Sequence, residues 1–143
     1  MKTNKKHKQI LSRLRKNSRE SFTQISRFTD IPVSTVFDYH KKLDQDIVQK
    51  NTSLLDFKKL GYGIRIMLYI NAQDQESLEE HLKKHLHVNN LFRMKNLDLG
   101  CEVLFKNLKD YYDFLETFEE FGIKKLHEHD IIEELKLEGF DRF

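Results

Sequence analysis

Ser34, Thr35, Lys41 and Lys42 fall within one short stretch, "TDIPVSTVFDYHKKL", which also holds the only proline of the chain, Pro32. Hydroxyls at the start of a helix can approach phosphates or base edges closely, and the first-turn N–H groups favour an anion there. Lysines further along the same helix reach a phosphate backbone. Pro32 suits a helix entrance, where its missing N–H costs nothing. If Val36, His40 and Leu43 (i, i+4, i+7) face a core, then Ser34, Thr35, Phe37, Asp38, Lys41 and Lys42 point outward together. The chemistry open to this stretch is recognition of a polyanion, by a helix laid in the DNA major groove. Asp38 would repel phosphate, although a carboxylate can accept a hydrogen bond from cytosine N4.

Other reactive residue types form no site. His81 and His85 stand i, i+4 on an expected helix, a spacing that suits a metal, and His127 and His129 share one face of an expected strand. No cysteine or carboxylate cluster of fixed spacing completes either pair, so solvated or interface histidines are expected and no metal. Cys101, the only cysteine, reads as a small buried hydrophobe. One cysteine cannot form an internal disulfide, and the basic "MKTNKKHKQI" lacks the apolar segment of a secretory signal; both point to a reducing cytoplasm. No run of about 18 apolar residues occurs, so no membrane span is expected. With 5 glycines and no phosphate loop, nucleophile motif or paired carboxylates, neither an enzyme nor a cofactor is expected.

The elements that position the outward face must lie in the first third of the chain, and the charge divides there too. Residues 1–50 hold 12 Lys/Arg against 5 Asp/Glu; residues 51–143 hold 13 against 18. The net charge of +2 is thus the sum of a +7 half and a −5 half, as expected when one part meets a polyanion and the other does not. In the basic half, "KHKQILSRLRK" puts Ile10, Leu11 and Leu14 on one face of a first helix. Ser21 with Gln24 reads as a capping box opening a second helix, with Phe22, Ile25 and Phe28 inward. The third helix is expected from about Val33 to Asp44.

The acidic half alternates strands and helices. "GIRIMLYI" has period two, with Ile64, Ile66, Leu68 and Ile70 on one face and Arg65, Met67 and Tyr69 on the other. "DQESLEEHLKKHL" predicts a helix with Leu78, Leu82 and His85/Leu86 inward. "NLFRMKNL" and "LGCEVLFK" predict two strands joined near Asp98. "LKDYYDFLETFEEFG" predicts a helix carrying Leu108, Tyr111/Tyr112, Leu115 and Phe118 and ended by Gly122; "IKKLHEHDII" predicts a last strand, before a charged tail. The order is β-α-β-β-α-β, the split ferredoxin-like plan. Two helices cover one sheet face only. The other shows Met67, Tyr69, Met94 and Leu104, expected to form a dimer interface.

The run "QILSRLRKNSRESFTQISRFTDIPVSTVFDYHKKL", followed by "IVQKNTSLLDFKKLGY" with Leu60 and Gly61, resembles the Lrp/AsnC family of transcription regulators. The resemblance implies an α+β chain: an N-terminal winged helix-turn-helix over 1–50, an extended linker over 51–61, and a ferredoxin-like βαββαβ domain over 62–143. It also implies that Ser34, Thr35 and Val36 begin the recognition helix, and that the second domain pairs sheet against sheet. The implied partners are double-stranded DNA and further copies of the chain, as a homodimer or larger assembly. The alternative is an interaction or ligand-sensing protein whose helix-turn-helix is vestigial. Many family members also bind an amino acid between dimers. The Gly-x-x-Asp turn associated with that effector is absent: the equivalent stretch is "LDLGCEV", with Glu102 two residues after Gly100. Phe37, Asp38 and Tyr39 also depart from the basic or polar residues usual there.

Overall fold

The computed structural model describes all of Met1–Phe143 and contains two units: residues 1–54 with 136–143, and residues 55–135. No helix is long and apolar enough to cross a membrane. The first unit is a three-helix cluster. Helix α1 (Lys5–Lys16) begins at Asn4, whose side chain accepts from the His7 N–H while the His7 ring accepts from the Asn4 N–H. Helix α2 (Phe22–Thr29) opens on the expected box, Ser21 and Gln24 each satisfying the other's backbone N–H. It ends at Asp30, in the left-handed region at φ 55, which turns the chain into Ile31 and Pro32. Helix α3 (Val33–Asp46) follows. Ile10, Ile25, Ile31, Val36 and Leu43 are the buried core, with Leu11, Leu14, Phe22, Tyr39 and Val48 packed around it. From Val48 to Gly63 the chain forms no strand or helix.

The second unit is an antiparallel four-stranded sheet in the order β2-β3-β1-β4. Strand β1 (Ile64–Ala72) is central and pairs with β3 (Leu99–Phe105) and β4 (Ile123–Asp130); β2 (Val88–Arg93) pairs only with β3. Helices α4 (Gln75–Lys84) and α5 (Leu108–Glu116) are capped by Asp74 and Asn107. Alternate residues of β1 (Ile66, Leu68, Ile70, Ala72) and of β3 (Leu99, Cys101, Val103, Phe105) join Leu78, Leu82, Tyr111, Phe114, Phe118 and Phe121 in one core. Burial pushes the Cys101 thiol up to about 12.

Several expectations are corrected. Phe28 is 66% exposed: it lies outside the core, stacked under the Arg13 guanidinium at 4.0 Å. Leu86 is exposed because α4 stops at Lys84, which ends the helical period before it. On α5 Tyr111 faces inward and Phe118 beyond it is buried as expected, Leu115 packs at the edge of the core and Phe114 joins them, while Leu108 and Tyr112 are exposed. The segment 136–143 groups with the first unit, where Arg15 pairs with Glu138 and Lys16 lies 3.7 Å from Asp141.

The sheet face without helices is less apolar than its sequence suggested. Arg65 there pairs with Glu102, which is 3% exposed, and Asn89 donates to the same carboxylate at 3.0 Å. Leu104, opposite Arg65 in the register, is only 7% exposed and so already covered within the chain. The Phe57 ring lies 5.8 Å from the Arg65 guanidinium, which brings the turn at 57–61 over this end of the sheet. Met67, Tyr69 and Met94 are half-buried, and Phe92 on the same face is exposed.

Candidate nucleic-acid interface

Helix α3 is set by what it buries. Val36 and Leu43 are fully buried against Ile10, Ile25 and Ile31. Two aromatic contacts fix its roll. Tyr39 stacks on His7 of α1 at 4.2 Å, and His40 stands edge-on to Phe22 of α2 at 5.0 Å. His40 Nδ1 also lies 3.3 Å from Asp44. The expected core stripe is therefore correct at Val36 and Leu43, and His40 is half-buried at its border. Tyr39 belongs to the packed side too, through a partner, His7, that the sequence did not announce.

With that side fixed, Ser34, Phe37, Asp38, Lys41 and Lys42 are all exposed and Thr35 is half-exposed. The structure thus gathers the six sequence-derived residues on one helix surface. Helical spacing places Ser34, Asp38 and Lys41 (i, i+4, i+7) along its midline, opposite Val36 and Leu43. Phe37 lies to one side, its ring edge-on to Phe22 at 5.7 Å. Lys42 lies to the other, with its ammonium 6.0 Å from the Tyr39 ring. Asp38 forms no ion pair with either lysine, whereas Asp44 is occupied by His40.

The N-terminus of α3 differs from those of the other α-helices. Asn4, Ser21, Asp74 and Asn107 each place a side-chain acceptor on a first-turn N–H, but Pro32 offers none. The N–H groups of Val33, Ser34 and Thr35 therefore stay free of a side-chain cap, and they carry the positive end of a 14-residue helix. An ion pair that the sequence reading missed ties α1 to the residue just before the cap of α2. Arg13 grips the buried Glu20 with two N–H groups of one guanidinium edge, Nη2 and Nε, the latter at 2.9 Å. The signal was present as a carboxylate in a basic, Leu-containing run seven residues from an arginine, a spacing with no helical meaning across the break at Asn17.

His81, His85 and Asp98 of the second unit are committed to contacts within it. His81 Nε2 lies 2.9 Å from Thr117 Oγ1, and His85 packs on the Phe114 ring at 4.8 Å. Burial, then the neighbouring His81 and His87, hold His85 below the usual histidine range. No group of His, Cys, Asp and Glu is arranged to hold a metal ion. His129 stands edge-on to Tyr69 at 5.6 Å on the helix-free face. Asp98 lies at the β2–β3 turn, as expected, and Glu102 lies within β3. Asp98 takes Lys125 at 2.8 Å, Asn71 at 3.0 Å and Asn96 at 3.0 Å, and the Lys125 hydrogen bond is the main reason its carboxyl sits below the usual carboxylate range.

A helix entered after a left-handed turn, rolled by aromatic contacts and presenting a partly basic outer face, defines a helix-turn-helix unit. Residues 3–46 match the family described as winged helix-turn-helix DNA-binding. The chain is 27% identical over 134 residues to an uncharacterized HTH-type transcriptional regulator of Pyrococcus furiosus, with 90% of each chain covered. A like-named protein of Pyrococcus abyssi is 26% identical over 90% of this chain and 91% of that one. Among solved structures, AsnC of E. coli superposes with a TM-score of 0.84 at 15% identity, over 99% of this chain and 100% of that one. LrpC of B. subtilis gives 0.84 at 19%, over 95% and 99%. A Neisseria meningitidis regulator solved with L-Met gives 0.86 at 18%, over 95% and 94%. The resemblance to the Lrp/AsnC regulators read in the sequence is thus met by the fold along nearly the whole chain.

Proposed function

We propose that the chain is a sequence-specific DNA-binding transcription regulator of the Lrp/AsnC type, acting in the cytoplasm as a homodimer built through its second unit. The observation that supports the reading is the outer face of α3: hydroxyls, lysines and uncapped N–H groups with no hydrogen-bond or ion-pair partner in the chain, on a helix fixed from behind. In this reading residues 1–50 contact duplex DNA, with Ser34, Thr35, Phe37 and Asp38 toward base edges and Lys41 and Lys42 toward phosphates. Residues 51–61 link them to the dimerising domain. The test is affinity for duplex DNA at several salt concentrations. Each phosphate contact contributes a slope of about −0.9 in log K against log salt. Lys41→Ala and Lys42→Ala are each expected to reduce that slope by about one and to weaken all sequences alike. No binding at low salt would instead support the alternative reading, a vestigial helix-turn-helix in a protein that assembles with a partner regulator.

The dimer reading rests on Met67, Tyr69, Met94 and the exposed Phe92 of the helix-free sheet face; Leu104, covered within the chain, contributes little. A two-fold pairing of this face buries the same patch from both copies. Met67→Lys would place a charge in that contact. Light scattering after gel filtration is expected to give twice the mass of one chain for the wild type and a single-chain mass for Met67→Lys. A wild-type monomer at micromolar concentration would refute the arrangement.

A further inference from the structure

We infer that Asp38 and Phe37 select the sequence bound: Asp38 reads a cytosine through its exocyclic amine, and Phe37 reads the methyl group of a thymine at a neighbouring base pair. The inference rests on the reading of the chain as a DNA-binding protein and deepens it. Asp38 is exposed on the midline of the outer face of α3, between Ser34 and Lys41, where a helix in a groove comes nearest the bases. A carboxylate there opposes every phosphate approach, so it weakens binding to DNA in general. Only a donor on a base edge offsets that.

The major groove offers two such donors, the N4 amine of cytosine and the N6 amine of adenine. The adenine amine stands beside N7, an acceptor, which would meet the second carboxylate oxygen in repulsion. The cytosine amine stands beside a C5–H. The chemistry therefore favours cytosine. The carboxylate is available for it, because neither Lys41 nor Lys42 engages it although they sit three and four residues on.

Phe37 is 53% exposed, and its ring is steadied edge-on against Phe22 at 5.7 Å, so it enters a groove already oriented. The thymine methyl is the one sizeable apolar group there. Residues 37 and 38 point about 100° apart around the helix, which directs them to different base pairs.

The experiment is selection of full-length chain on a random-sequence duplex pool, run for wild type, Asp38→Asn and Phe37→Ala. Wild type is expected to enrich a C·G pair at one position and a T·A pair beside it. Asp38→Asn is expected to lose the cytosine preference by about tenfold, to shift toward adenine, and to bind unselected DNA more tightly. Phe37→Ala is expected to accept any base at the thymine position.

Modified duplexes test the same contacts without altering the protein. N4-methylcytosine at the selected cytosine should weaken wild type by about tenfold and leave Asp38→Asn unchanged. Deoxyuridine for the thymidine should weaken wild type and leave Phe37→Ala unchanged. If wild type and Asp38→Asn choose the same base with equal discrimination, or N4-methylcytosine binds as well as cytosine, Asp38 reads nothing and the inference falls while DNA binding stands. If wild type enriches no duplex and has no affinity for random DNA at low salt, the DNA-binding reading falls with it.

Discussion

Leu43→Ala is expected to unfold the first unit and abolish DNA binding, although Leu43 touches no DNA in the proposed arrangement. The core of that unit contains five fully or nearly fully buried side chains, and Leu43 is the last of them along α3. A buried Leu→Ala change costs roughly 2–5 kcal/mol. A unit of this size has a total stability of the same order. The change therefore removes most of what holds α3 in place. Ser34→Ala, on the opposite face of the same helix, should stay within about 0.5 kcal/mol. Circular dichroism of the helical signal on heating, with gel shifts at fixed salt, separates the two. A Leu43→Ala protein that melts like wild type and shifts DNA equally would show that the five-residue core does not position the helix.

Arg65→Met is expected to destabilise the second unit by about 3–5 kcal/mol, the cost of leaving a buried charge without its partner. The charge is Glu102, on the central run of β3, with its remaining contacts from the side-chain amides of Asn89 and Asn90. Removing Glu102 as well reverses the expectation. Arg65→Met with Glu102→Leu should recover most of the loss, because a buried ion pair contributes little net stability over an apolar pair of similar volume. Urea unfolding of the wild type, the two singles and the double closes the cycle. Equal midpoints for wild type and Arg65→Met would mean that water or the amides already satisfy Glu102.

What the sequence disclosed, and what it withheld, follows from the range of the interactions concerned. Periodicity found β1 and most helices, because Ile64 to Ile70 alternate and Val36 and Leu43 repeat on one face whatever they pack against, whereas β2 lies at Val88–Arg93, earlier than the expected "NLFRMKNL". Local chemistry found the Ser21–Gln24 box, which closes over three residues. The misses are long-range or lie at element ends. Phe28 carries an apolar side chain at a helical position, yet its partner is Arg13, on another helix. Leu86 continues the α4 pattern past the point where the chain leaves the helix. Glu102 reads as a polar residue on an open sheet face until Arg65, 37 residues earlier, is seen to cover it. For the candidate interface the outward set on α3 was legible from spacing alone. The roll of that helix was not, since it depends on His7 meeting Tyr39.

The burial of Cys101 makes the chain its own unfolding reporter. The thiol lies fully buried in the core of the second unit and is pushed up to about 12, so the reactive thiolate is scarce even when reagent is near. Alkylation at neutral pH then proceeds only through molecules in which the sheet has opened, and its rate measures how often that happens. A second cysteine placed on the exposed surface of α3 would carry a fluorophore or spin label by itself, with Cys101 left in place. One sample could thus report the approach of a ligand at one unit and the opening of the other.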